Sequence, residues 1–146
     1  LEDLDEVIKL DREALMLQSA PNLNRALVLE DLAYELGLRF RQTGRLSNLD
    51  EAVAVGHEAL ILQPKPNANR ARLLTTLGVY LSKRFDSTSQ KTDLDDSIVL
   101  FRGALNLYPG SSNRERLSQA IESLTTRYNH FGATEDLEEL DRLWKE

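Results

Sequence analysis

The sequence contains no cysteine. That excludes a disulfide framework and any thiolate metal site, and it points to a reducing compartment. Glycine and proline are scarce, at seven and four residues, and fall mostly near segment ends, so long regular elements are expected. No apolar run approaches the roughly 18–20 residues that a membrane helix requires. No basic start followed by an apolar stretch marks a signal peptide. A basic excess is also missing. The net charge is −6, with acidic residues concentrated at both ends, and no basic stripe offers a footprint for a phosphate backbone. These absences predict an intracellular, cytoplasmic protein with neither nucleic acid nor membrane as partner. The chain opens on Leu1 rather than Met and reads as a fragment of a longer protein.

What remains is ordinary globular composition, 41% hydrophobic and 29% charged over 146 residues, which is enough for a sizeable core. It is written as a repeat. Leu4, Leu49, Leu94 and Leu137 stand 45, 45 and 43 residues apart, in the stretches "DLDEVIKLDREALMLQS", "NLDEAVAVGHEALILQP", "DLDDSIVLFRGALNLYP" and "DLEELDRLWKE". Each follows Asp3, Asn48, Asp93 or Asp136, and each of those is followed three residues later by Glu6, Glu51, Asp96 or Glu139. The spacing reads as a helix N-cap with a capping-box acid, which satisfies orphan N–H groups and complements the helix dipole. Pro64 and Pro109 end two copies, and Ser19 takes that place in the first.

A second helix follows each copy: "NRALVLEDLAYELGLRF", "NRARLLTTLGVYLSKRF" and "SNRERLSQAIESLTTRY". Leu29, Leu32, Ala33, Leu36 and Phe40 recur at helical spacing, as do Leu74, Leu77, Gly78, Leu81 and Phe85, then Leu117, Ala120, Ile121, Leu124 and Tyr128. The prediction is seven helices near 3–18, 24–42, 48–63, 68–86, 93–108, 112–131 and 135–145, with no sheet. One such pair cannot bury its apolar faces alone, whereas stacked pairs share a core.

Leu74, Leu77, Gly78 and Leu81, then Ser97, Phe101, Ala104 and Pro109, match the spacing W-x2-L-G-x2-Y … A-x3-F … P, with leucine in place of the Trp and Tyr. Leu29, Leu32, Ala33, Leu36, Ala52, Gly56, Ala59 and Pro64 repeat the scheme. The sequence therefore resembles the tetratricopeptide repeat family over essentially its whole length. Its units are longer than the usual 34 residues. With "RF" near one helix end and "LDEA" opening the next, they are similar to arrays in large fungal multidomain proteins that carry caspase-like protease or signalling NTPase domains. The resemblance implies an all-α solenoid, a right-handed superhelix of antiparallel pairs in one repeat domain. Residues 3–18 would be an unpaired second helix, 24–63 and 69–108 two repeats, and 112–146 a third with a short last helix.

The resemblance also implies a concave groove lined by the first helix of each pair: Leu27, Glu30, Asp31 and Tyr34, then Arg72, Thr75, Thr76 and Val79, then Glu115, Ser118, Gln119 and Glu122. The Lys and Asn that clamp a terminal carboxylate in chaperone-binding members are missing. The acids Glu30, Asp31, Glu115 and Glu122 suit a protein or peptide of mixed or basic character. The expected function is a non-catalytic interaction scaffold. The alternative is a structural or regulatory spacer in a larger signalling protein, self-associating through its end helices on the Trp144 side. Leu137, Leu140, Leu143 and Trp144 are expected to form one apolar stripe there.

No enzyme is expected. Neither a phosphate-cradling glycine loop nor a G-x-S-x-G elbow is present, and catalytic, cofactor and metal sites are all predicted to be none. His57 and His130 are isolated and read as surface residues. Arg39, Arg84 and Arg127, each before an aromatic residue, read as partners for the acids that open the next helix. Arg25, Arg70 and Arg114 open helices where a cation opposes the dipole, so something local must compensate.

Overall fold

A computed structural model describes residues 2–18, 20–107 and 113–145. The stop signals at Ser19 and Pro109, and the starting position Ser112, lie outside the described residues. Within them the chain is helical and contains no strand. The helices are α1 (Glu2–Leu17), α2 (Leu23–Thr43), α3 (Leu46–Leu62), α4 (Ala68–Thr88), α5 (Lys91–Leu107), α6 (Arg114–Phe131) and α7 (Glu135–Leu143). They form two compact units, residues 1–66 and 67–146.

Packing within each unit runs from neighbour to neighbour. In the first, α2 lies between α1 and α3; in the second, α4 packs on α5, α5 on α6 and α6 on α7. This is the arrangement of a helical repeat protein, in which each element needs the next to cover its apolar stripe. In α2 the stripe is Ala26, Leu29, Leu32, Ala33 and Leu36, all nearly inaccessible to solvent, and α3 buries Leu49, Ala52, Val53, Ala59 and Leu60. Leu74, Leu77, Leu81 and Phe85 do the same in α4, and Leu94, Ile98, Phe101 and Ala104 in α5.

Gly78 is required by close approach. A Cβ at this position would lie 2.7 Å from the Phe101 ring, so α4 and α5 meet at this distance because the side chain is missing. Phe101 is completely buried and packs with Ile98, Ala120, Leu124 and Leu143. Its burial contributes on the order of 2–3 kcal/mol.

The helix starts differ from the capping prediction in an informative way. Asn48 and Asp93 are the third residues of α3 and α5, and Asp136 is the second of α7. Their side chains do not cap their own helices; they grip the end of the preceding one. Asp93 accepts from Arg84 Nη2 at 2.7 Å and from Thr88 Oγ1 at 3.3 Å. Asp136 accepts from Arg127 Nε at 2.8 Å, while Asn48 donates to Thr43 Oγ1 at 3.1 Å. Thr43 and Thr88 in turn donate to the carbonyls of Arg39 and Arg84.

Each corner also closes on a left-handed residue, as helix C-termini commonly do. These are Gly44, Ser89 and Gly132, whose N–H groups bond to Phe40, Phe85 and Tyr128 at 2.7, 2.7 and 2.8 Å. Arginine, left-handed residue and Asn or Asp thus form one corner written three times. The sequence expectation that these arginines pair with acids opening the next helix is met by Arg84 and Arg127. Arg39 has Asn48 at that place and bonds instead to Asp5 on α1.

The later acids also reach other helices. Glu51 on α3 accepts from Arg12 on α1 at 2.9 Å, and Glu139 on α7 accepts from Arg102 on α5 at 2.8 Å. Arg25 resolves its own conflict with the dipole. Its Nη1 donates to the carbonyls of Leu15 and Gln18 at the end of α1, both at 2.8 Å, and its Nε donates to Glu58 of α3 at 2.8 Å. A cation at the carbonyl end of one helix outweighs its unfavourable place at the start of the next.

Candidate functional site

The candidate groove residues fall on α2, α4 and α6. In the first unit, Leu27, Asp31 and Tyr34 share one face of α2 at spacings of four and three, and all three are exposed. Glu30 lies off that face. It is 7% exposed and accepts from Gln63 Nε2 at 3.5 Å. The residue is held within its unit, on the side of α2 turned toward α3.

In the second unit α4 and α6 come close to one another. Thr75 is half-buried and committed to internal bonds, donating to the Ala71 carbonyl at 2.9 Å and accepting from Arg116 Nε at 3.1 Å. Arg116 also donates to Asn113 Oδ1 at 2.7 Å. Arg72, Glu115, Ser118 and Glu122 are exposed, and Thr76, Val79 and Gln119 half-buried.

Three of these residues, Val79, Gln119 and Glu122, line a cleft of about 100 Å³. Its remaining lining is Ser82, Lys83, Phe85, Asp86, Leu94, Ser123 and Thr126. Ser82 and Ser123 share a hydrogen bond of 3.1 Å across it. Lys83 and Asp86 form an exposed ion pair at 3.7 Å. Phe85 supplies an apolar wall, with His130 and Phe131 edge-on to its ring at 5.4 and 6.1 Å. His130 is itself exposed, and its Nδ1 lies 3.0 Å from the Thr126 carbonyl.

Small-molecule and cofactor pockets usually enclose about 300–1,000 Å³. This cleft is well below that size and suits a single inserted side chain. Its rim is of mixed charge, with Lys83 beside Asp86 and Glu122. Sequence reasoning missed Ser82, Lys83, Asp86, Ser123 and Thr126. They were accessible to it, since Ser82, Lys83 and Asp86 follow Val79 by three, four and seven residues and Ser123 follows Gln119 by four.

Among the described residues, no group of three or more His, Asp or Glu side chains is arranged to hold a metal ion. No helix among them is long and apolar enough to cross a membrane. At the other end of the second unit, Leu143 is buried and Leu140 half-buried against the core, while Leu137 and Trp144 are exposed, Trp144 at 73%. The expected single stripe of α7 is therefore divided between two faces.

The fold and its corners define the class: an all-α protein of helical-repeat packing. No family model matches the sequence, and no characterised protein matches it either.

Proposed function

We propose that the chain is a non-catalytic interaction scaffold of the tetratricopeptide kind. It takes a peptide or protein segment along the faces of its first helices. The observation that carries this reading is the α4–α6 cleft, where Val79, Gln119 and Glu122 converge around room for one side chain. Its mixed rim, and the exposed Asp31 of α2, favour a partner that is mixed or basic. Leu27 and Tyr34 add apolar area on α2, and tyrosine is a common anchor at interfaces.

The test is selection of peptides from a random displayed library on the immobilised chain, followed by NMR mapping of the winners. Basic or mixed peptides should shift amides of α4 and α6, and Val79→Arg should remove binding while the helical circular dichroism is kept. Binding that ignores Val79→Arg would sink the assignment of the cleft.

A second reading rests on Trp144. A tryptophan exposed to this extent beside the exposed Leu137 favours a structural or regulatory spacer that self-associates through its end helix.

A further inference from the structure

The stripe that α1 turns toward α2 contains a residue that does not belong in an apolar seam. Ile8 is buried and Leu4, Asp11, Leu15 and Gln18 are half-buried, at the spacing of one helix face. Asp11 sits in the middle. In the register of the repeat its counterpart in α5 is Phe101, which is completely buried. From α2, Glu35 meets Asp11 across the seam, and Asp31 lies one turn before it. Asp11 Oδ2 and Glu35 Oε2 are both enclosed and have no hydrogen-bond partner. Two carboxylate oxygens are both acceptors, and only a proton can join them.

Among the described residues, no cation relieves the pair. Arg12 of α1 turns to Glu51 of α3, Arg39 of α2 to Asp5, and Arg25 of α2 to Glu58 and the end of α1. Gln18 Oε1, further along the seam, is another enclosed acceptor without a partner. Ile8 is the one fully buried residue of α1.

We propose that Asp11 and Glu35 form a protonation latch, closing α1 onto α2 while they share a proton and loosening it when both are ionised. Burial first, then the Asp11 charge, the hydrogen bond to Asp11 and the Asp31 charge, raise the Glu35 carboxyl to about 7. Burial raises Asp11 as well, opposed by its hydrogen bond with Glu35 and assisted by the Asp31 charge. A raised carboxyl pKa means that the docked state holds a proton which the undocked state gives up. Docking is therefore strongest at acid pH, weakens as pH rises from the ordinary glutamate range toward 7, and is weakest above it. The pair titrates as a unit.

Hydrogen exchange on the whole chain at pH 5.5 and pH 8, corrected for intrinsic exchange rates, tests this. Protection of α1 amides, taken relative to α4 and α5, should fall about tenfold at the higher pH, the effect of one pKa unit of differential proton binding. Glu35→Gln supplies a permanent donor and should keep α1 protected at both pH values. Asp11→Asn should do the same. The α4 and α5 amides report whether each variant is folded. Equal α1 protection at both pH values overturns the latch, as does a pH response that survives in Glu35→Gln. In wild type, a Glu35 carboxyl ¹³C titration at the ordinary glutamate pKa overturns it independently.

Discussion

Gly78 and Ser89 show opposite relations between a residue and its backbone. Gly78 lies inside α4, where alanine would ordinarily stabilise a helix by about 1 kcal/mol. Here the added Cβ meets Phe101 at 2.7 Å, and overpacking of this kind costs roughly 1–3 kcal/mol. Gly78→Ala is therefore expected to destabilise despite its better propensity, and chemical denaturation monitored by circular dichroism will show a lower midpoint. Ser89 has φ 55°, in the left-handed region that Gly44 and Gly132 occupy at the two equivalent corners. A side chain costs roughly 1–2 kcal/mol there, partly offset by the greater freedom of glycine in the unfolded chain. Ser89→Gly should raise the thermal midpoint by about 2–4 °C, which calorimetry can resolve. An unchanged or lower midpoint would mean that the serine side chain contributes more than its backbone strain costs.

Among the elements, the corner between helices is the recurring device. Arg127 joins three of them: it donates to Asp136 on α7 and to Asp95 on α5 at 2.7 Å while standing on α6. Asp136 is 1% exposed, and its charge is tolerable there because the guanidinium neutralises it. Asp136→Asn leaves a hydrogen-bonding side chain but removes the charge, as at Asn48. A cost of about 1.5–3 kcal/mol is expected, in the range for hydrogen bonds to charged groups. Asp136→Ala leaves Arg127 with only Asp95 and should cost more. Hydrogen exchange should place the loss in α6 and α7; a loss spread evenly over all helices would contradict a local corner role.

Capping and corner-gripping look alike in a sequence, because both put a short polar side chain near the start of a helix. The repeat showed that Asn48, Asp93 and Asp136 serve one structural purpose. Which purpose could not be read, since it depends on a preceding helix turning back so that its arginine lies beside the acid. Glu30 carries the same lesson for the candidate groove. Helical spacing places it next to the exposed Asp31, yet α3 passes on that side and Gln63 bonds to it.

For the molecule as a whole, the exposed apolar residues have a consequence in solution. Trp144 stands in the register of Phe101, yet the α6 residue in the register of Gly78 is Ile121, which carries a side chain where Gly78 leaves room for the Phe101 ring. Trp144 has no slot of that kind and remains exposed beside Leu137. Sedimentation or light scattering is expected to show mass rising with concentration, and Trp144→Glu should suppress the rise. A mass that stays monomeric up to millimolar protein would remove the self-association reading and leave the scaffold reading standing.

The sequence alone determined the helices, their number among the described residues, their kinds and most of their limits. These follow from local rules: apolar spacing, stop residues and the repetition of both. It also determined that one packing arrangement recurs, because Leu32 and Leu77 or Leu49 and Leu94 can be aligned without knowing what covers them. Tertiary structure decided which polar groups meet. The meeting of Asp11 with Glu35, the grip of Asp136 on Arg127, the reach of Arg25 to the end of α1 and the cleft around Ser82 and Ser123 all join residues from different helices. Such pairings depend on helix rotation and separation to within about an ångström, because hydrogen bonding and charge pairing change steeply over that distance while apolar burial does not.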